Sequence, residues 1–191
     1  MTYEAVVLAA GRSSRAGAFK PALDCGGVPL IRRVVRAFAG VCRRTWVVTG
    51  YQADQVAALV AGEPGVETVY HPGWEAGMFS SVRAGVARVT ADRFFVTPGD
   101  LPLIDTALVR ALADTPGSLV VPVWGHEGGH PILLDAVWAR VLAAADPGSN
   151  LRAVLTGTPR VRVPAPDDGV LRDIDTCEDY EEMRDLLGRS L

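Results

Sequence analysis

Two hydrophobic periods take turns along this chain, and their succession predicts strands and helices in regular alternation. Tyr3-Glu4-Ala5-Val6-Val7-Leu8 is a short apolar run expected to form a buried strand. Pro29 to Phe38 spaces its apolar residues as a helix does, with Pro near the first turn. Thr45 to Thr49 predicts a second strand that Gly50 ends, and Ala53 to Ala61 a second helix. Val66 to Tyr70 is a third strand, Met78 to Val89 a third helix, and Phe94 to Thr97 a fourth strand. Asp105 is placed to cap a helix running through Ala113. Leu119 to Val123 is a strand whose Pro122 predicts a position towards a sheet edge. Ala136 to Ala145 is helical, Val161 to Val163 a late strand, and Thr176 to about Leu187 a final helix. This alternation predicts an α/β fold, a three-layer α/β/α sandwich around a mainly parallel, mixed sheet.

Composition adds bounds. With 191 residues, 49% hydrophobic and 21% charged, the chain is expected to form one globular domain spanning 1–191. Pro164 to Gly169 reads as a loop within it, not as a linker. A net charge of −3 gives no general case for nucleic acid or membrane as a partner, so an anionic ligand would need a local cationic pocket. No apolar run is long enough to span a bilayer, and the first residues lack a signal-peptide pattern. Cys25, Cys42 and Cys177 fit neither a disulfide framework nor a zinc spacing, so reduced thiols in a cytoplasmic protein are expected.

Candidate chemistry centres on the loop after the first strand, Leu8-Ala9-Ala10-Gly11-Arg12-Ser13-Ser14-Arg15-Ala16-Gly17-Ala18-Phe19-Lys20. Its small residues let backbone approach a ligand, and Gly11 and Gly17 can turn successive N–H groups toward an anion. Arg15 and Lys20 then supply a fork and a point charge for phosphate. Taken alone, the same residues also describe an ordinary βα loop with two solvated cations. Pro98-Gly99-Asp100-Leu101-Pro102 follows a buried strand, where α/β sheets place ligands. Asp100 there suits a divalent metal bridging phosphates, or a turn bonding its own backbone. In Asp173-Ile174-Asp175-Thr176 the two acids point the same way on extended chain, and Thr176 with Asp179 can form a capping box. Ser80 and Ser81, in Gly77-Met78-Phe79-Ser80-Ser81-Val82-Arg83-Ala84-Gly85, sit at a helix N-terminus, free to bond a ligand edge or to cap. His126-Glu127-Gly128-Gly129-His130 satisfies the zinc protease pattern His-Glu-x-x-His. That pattern needs one helix face, and two glycines with Pro131 argue against a helix.

Leu-Ala-Ala-Gly-x-Ser-x-Arg-x-Gly-x-x-Lys resembles the signature loop of nucleotidyltransferases with a glycosyltransferase-A-like fold. Within them it is most similar to the molybdenum cofactor cytidylyltransferases and guanylyltransferases. Ala16 stands where that family has Met, and Cys177 where its Asp-x-Asp-Thr-Pro-Glu-Asp stretch has Pro. The Gly77 to Gly85 stretch and Gly129-His130-Pro131 are similar to further motifs of the family, in the same order along residues 8 to about 180. The resemblance implies a cytoplasmic, Mg2+-dependent enzyme that transfers CMP from CTP to molybdopterin or its molybdenum-loaded form and releases pyrophosphate. It implies that Gly11, Arg15 and Lys20 hold the triphosphate, that Leu8, Ala9 and Ala10 belong to the same nucleotide site with Ala10 where the base meets the loop, and that Gly77, Ser80 and Ser81 lie near the nucleobase. It implies that Asp100 and Asp175 hold magnesium, with Asp173 a second candidate, and that His130 touches the acceptor. Arg15, Lys20 and Asp100 are the expected catalytic set, and transient contact with a molybdoenzyme is compatible with that role. GTP in place of CTP, or another phosphorylated acceptor, are the alternatives of the same class. A non-catalytic cofactor-binding accessory protein, or an oxidoreductase of the same family, are the alternatives from other classes. No dinucleotide Gly-x-Gly-x-x-Gly supports the oxidoreductase. CTP is expected over GTP because the cytidylyltransferases carry Leu-Ala-Ala-Gly where guanylyltransferases typically carry Leu-Ala-Gly-Gly.

Overall fold

A computed structural model of the chain describes residues 1–12 and 18–189, the last two of these by their backbone only. In chain order the elements are β1 (Tyr3–Ala9), α1 (Leu30–Arg36), β2 (Arg44–Thr49), α2 (Ala53–Val60), β3 (Val66–Tyr70), α3 (Met78–Val86), β4 (Arg93–Pro98) and α4 (Thr106–Asp114). Then come β5 (Leu119–Trp124), β6 (Glu127–Gly128), β7 (Ile132–Asp135), α5 (Val137–Ala144), α6 (Leu151–Val154), β8 (Val161–Pro164) and α7 (Cys177–Arg189). The strands form one sheet in the order β3-β2-β1-β4-β7-β5-β6, with β8 also paired to β5. The pairs β1–β2, β1–β4, β2–β3 and β5–β8 are parallel; β4–β7, β5–β7 and β5–β6 are antiparallel. This is the mixed, mainly parallel α/β fold that the periodicity predicts.

Two cores follow from the two-residue period of the strands. Ala5 and Val7 of β1 pack with Val34 of α1, Val56 of α2, Leu108 of α4 and Met183 of α7. Val6, between them, faces the other way, with Val82 of α3 and Leu142 of α5. The approach of α3 is close: a Cβ on Gly85 would meet the side chains of Val6 and Val48.

Helix starts obey the local signals. Asp105 accepts a hydrogen bond from the Leu108 N–H at 2.8 Å. Thr176 and Asp179 form the reciprocal box: the Thr176 N–H donates to Asp179 Oδ2 at 2.7 Å, and the Asp179 N–H donates to Thr176 Oγ1 at 3.1 Å.

Three expectations are corrected. β5 is not an edge strand; it lies between β8 on one side and β7 with β6 on the other. Pro122 is tolerated because it falls between the β7 pairing, at Leu119 and Val120, and the β6 pairing, at Val123 and Trp124. β6 and β7 add antiparallel strands that the apolar pattern does not predict. Finally α3 stops at Val86, three residues early. Among the described residues, no helix is long and apolar enough to cross a membrane.

Candidate functional site

A cleft of about 380 Å³ opens where β1 and β4 end side by side. Parallel strands at the middle of such a sheet deliver their following loops to one place. The register pairs Leu8 with Pro98, and the Gly99 N–H then donates to the Leu8 carbonyl at 2.9 Å. This contact needs glycine, since a Cβ on Gly99 would stand 2.8 Å from that carbonyl oxygen. Gly50, after β2, is under a similar constraint: its Cβ would lie 2.5 Å from the Trp74 ring and 2.8 Å from the Ala10 carbonyl oxygen. The two glycines bring the first loop, the Pro98-Gly99-Asp100 turn and Trp74 around one opening.

Lys20 and the acids meet there. Lys20 begins a 3-10 turn over Lys20–Ala22 and is only 7% exposed. Its Nζ lies 2.6 Å from Asp175 Oδ1 and 3.4 Å from Asp100 Oδ2. Asp173 joins them, with carboxylate atoms of Asp100, Asp173 and Asp175 all within 4.8 Å of one another. The buried Ile174 between the two late acids fixes their direction, and its N–H donates to the Asp100 carbonyl at 3.1 Å. Burial pushes the Asp100 carboxyl above its ordinary value; Lys20 opposes this and Asp173 adds to it. Asp100 Oδ1 is buried, and among the described residues it has no hydrogen-bond partner. A cluster of hard oxygen donors with one oxygen unsatisfied fits a divalent cation such as Mg2+.

The opposite wall comes from the segment leading into α3. Trp74, Glu75, Gly77, Met78 and Ser81 line the cleft facing Leu8, Ala9, Ala10 and Gly11. Gly77 caps the helix at φ 99°, a left-handed backbone that suits glycine. Ser80 departs from expectation. Its Oγ lies 2.9 Å from His71 Nε2 and donates to the Gly77 carbonyl at 2.7 Å, so it braces the wall instead of lining the cleft. Trp74, Glu75 and Met78 are cleft residues that the motifs did not single out, although all three lie within or beside the Gly77-Met78 stretch. Arg12 is a further addition: its guanidinium lies 5.3 Å from the Tyr51 ring and 5.8 Å from the Trp74 ring. Arg15, the expected second cation, lies outside the described residues.

His130 is held beside β4 toward its cleft end, with Nδ1 3.2 Å from the Val96 carbonyl oxygen. Burial lowers its pKa against the opposing effects of that bond and of Asp173. It does not line the cleft. The His126 to His130 stretch is a hairpin, with Glu127 and Gly128 paired to β5, so its two histidines share no helix face. Burial raises the Cys25 thiol to about 11 and the Cys42 thiol to about 12, leaving both protonated at neutral pH.

Comparison with known proteins points the same way as the geometry. The chain is 25% identical over 178 residues to the molybdenum cofactor cytidylyltransferase of Escherichia coli (strain K12), covering 93% of each chain. It is 29% identical over 144 residues to the molybdenum cofactor guanylyltransferase of Sinorhizobium fredii (strain NBRC 101917 / NGR234), covering 73% of this chain and 64% of the other. Among solved structures it is similar to a nucleotidyl transferase from Methanothermobacter thermautotroptrophicus, with a TM-score of 0.88, 28% identity, and coverage of 100% and 99% of the two chains. The profile of the MobA-like NTP transferase domain matches residues 5–163, from the first strand through the cleft to β8. With Lys20 and Asp100 lining that cleft, the chain belongs to the MobA-like NTP transferase family.

Proposed function

We propose that this chain transfers the CMP group of CTP to the phosphate of molybdopterin or its molybdenum-loaded form. A phosphate oxygen of the acceptor attacks the α-phosphorus of CTP, the bond to the β-phosphate breaks, and pyrophosphate leaves. The observation that carries this reading is the convergence of Lys20, the Ala9-Ala10-Gly11 loop, Asp100 and Asp175 on one cleft, with Asp173 beside the two acids. Such a site has little covalent chemistry to perform; it places two phosphates in line and neutralises charge. The backbone of Ala10 and Gly11 would receive the triphosphate and Lys20 would balance the charge that grows on the leaving pyrophosphate. Asp100 and Asp175, with Asp173 beside them, would hold Mg2+. When bound, that ion neutralises phosphate oxygens during the displacement.

CTP is favoured over GTP by Ala10. Ala10 is 4% exposed and lines the same cleft as Trp74 and Ser81. It narrows the space that a purine would need, and a methyl-scale difference of this kind is worth about 1–3 kcal/mol. The test is a competition with equal CTP and GTP, molybdopterin as acceptor, and products separated by mass. The cytosine dinucleotide is expected to predominate, and Ala10→Gly is expected to admit more GTP. Predominance of the guanine dinucleotide would reject the base assignment. Pyrophosphate release that does not require molybdopterin or any phosphorylated acceptor would reject the transfer reaction.

A further inference from the structure

Lys20 is the chain's single lysine; every other side chain among its 19 Lys and Arg residues is arginine. The exception stands where a compact charge matters. An arginine would bring a planar fork, whereas an ammonium is a point charge with three donors, closer in shape to a metal ion. Lys20 Nζ contacts Asp175 at 2.6 Å and Asp100 at 3.4 Å, the acids that the reading above gives to the metal. It is buried, and so cannot simply be ignored by an ion entering the cluster. Two cations on one set of carboxylates in a poorly solvated pocket repel each other strongly.

We propose that Lys20 is the resident counter-ion of the Asp100, Asp173 and Asp175 cluster, and that a divalent cation must displace it. The displaced ammonium then needs another anion, and the triphosphate in the same cleft is that anion. Metal and nucleotide therefore load as a unit: each makes the other's place available, with equal coupling in both directions. Without nucleotide, the lysine keeps the acids compensated and the ion's hold weak. This inference rests on the metal reading of the cluster, and the two can fail separately.

The test is Mn2+ binding to the full chain, stripped with chelator and free of nucleotide, followed by the electron paramagnetic resonance of free Mn2+. Lys20→Met keeps the length and removes the charge. It is expected to bind Mn2+ about tenfold or more tighter than wild type, the scale set by one charged hydrogen bond. A folded Lys20→Met that binds no tighter overturns the counter-ion role while wild-type binding keeps the metal site. Absence of Mn2+ binding in both proteins overturns the two together. One lysine also allows a test without mutation, since selective labelling of lysine Nζ with 15N reports Lys20 alone. At Mg2+ concentrations that displace bound Mn2+, its resonance is expected to shift, and to shift again when CTP is added. A resonance indifferent to Mg2+ overturns the proposal.

Discussion

Asp100 shows how one side chain can cost the fold and serve the site. Its carboxyl is desolvated enough to be pushed above its ordinary range, and one of its oxygens has no partner among the described residues. A charge kept in that condition is a poor contributor to stability. Asp100→Asn preserves size and removes the charge. Turnover is expected to fall by roughly a hundredfold or more, the scale of losing a key electrostatic group. The melting temperature is expected to stay the same or to rise, as when a strained site is relieved. Pyrophosphate release and a thermal melt check both; near-wild-type turnover would show that Asp100 does not carry the charge the reaction needs. Lys20 is the opposite case, a buried cation whose partners are the acids themselves.

At the scale of elements, the segment between β3 and α3 shapes the wall facing the first loop. His71 Nε2 and Ser80 Oγ lie 2.9 Å apart and close this segment on itself, with Trp74, Glu75 and Gly77 held between them. Burial keeps His71 below its ordinary pKa and therefore neutral at physiological pH. Ser80→Ala opens this clamp. Loss of one such hydrogen bond is worth about 0.5–1.5 kcal/mol. KM for the nucleotide is therefore expected to rise roughly two- to tenfold with kcat little changed. An unchanged KM with a lower kcat would place Ser80 in the chemistry instead of in the wall. Much of this frame was legible beforehand. Parallel strands announced themselves as apolar runs, and Asp105 and Thr176 marked helix starts that the structure keeps. The clamp was not legible, because a serine pair at a helix start looks alike whether it caps, braces or binds. Trp74 was hidden for a similar reason: only the tertiary contact with Gly50 shows that it belongs to the cleft. β7 was missed because Ile132 to Asp135 is too short to display a period, and its placement is decided by β4 and β5 on either side.

Across the whole molecule, the end of the sheet away from the cleft carries a buried acid of its own. Glu4, on β1, is fully buried and invisible in the apolar run that contains it. Arg43 donates to it at 3.0 and 2.9 Å, the Trp46 indole at 3.1 Å, and the Thr90 N–H and hydroxyl at 3.0 Å each. Burial alone would raise its pKa, but these hydrogen bonds outweigh it and hold the carboxyl below its ordinary value. The stabilisation is therefore fully present above the unfolded value of about 4.3 and is lost as pH falls from there through the folded value. Glu4→Gln is expected to cost about 1–3 kcal/mol at pH 7, since it weakens the charged hydrogen bonds to a buried carboxyl while the half-exposed Arg43 keeps its contact with water. Urea melts of the two proteins should begin to converge as pH falls below about 4.3 and meet only below the folded-state value. A difference that persists undiminished there would assign the loss to packing and not to charge.

The cleft's charges are drawn from distant parts of the chain. Lys20 meets Asp100 across 80 positions and Asp175 across 155, the latter only because Ile174 is pinned beneath the sheet's end. Contacts of such long range form late in folding, after the loops between them have closed. In a refolding experiment, secondary structure should thus return before the capacity to bind a nucleotide, and partly folded chains should be silent in any activity assay. Recovery of function is consequently a clock for the last tertiary step, and a chain that has paired β1 with β2 and β4 but has not yet seated Ile174 would look native by circular dichroism while remaining inert.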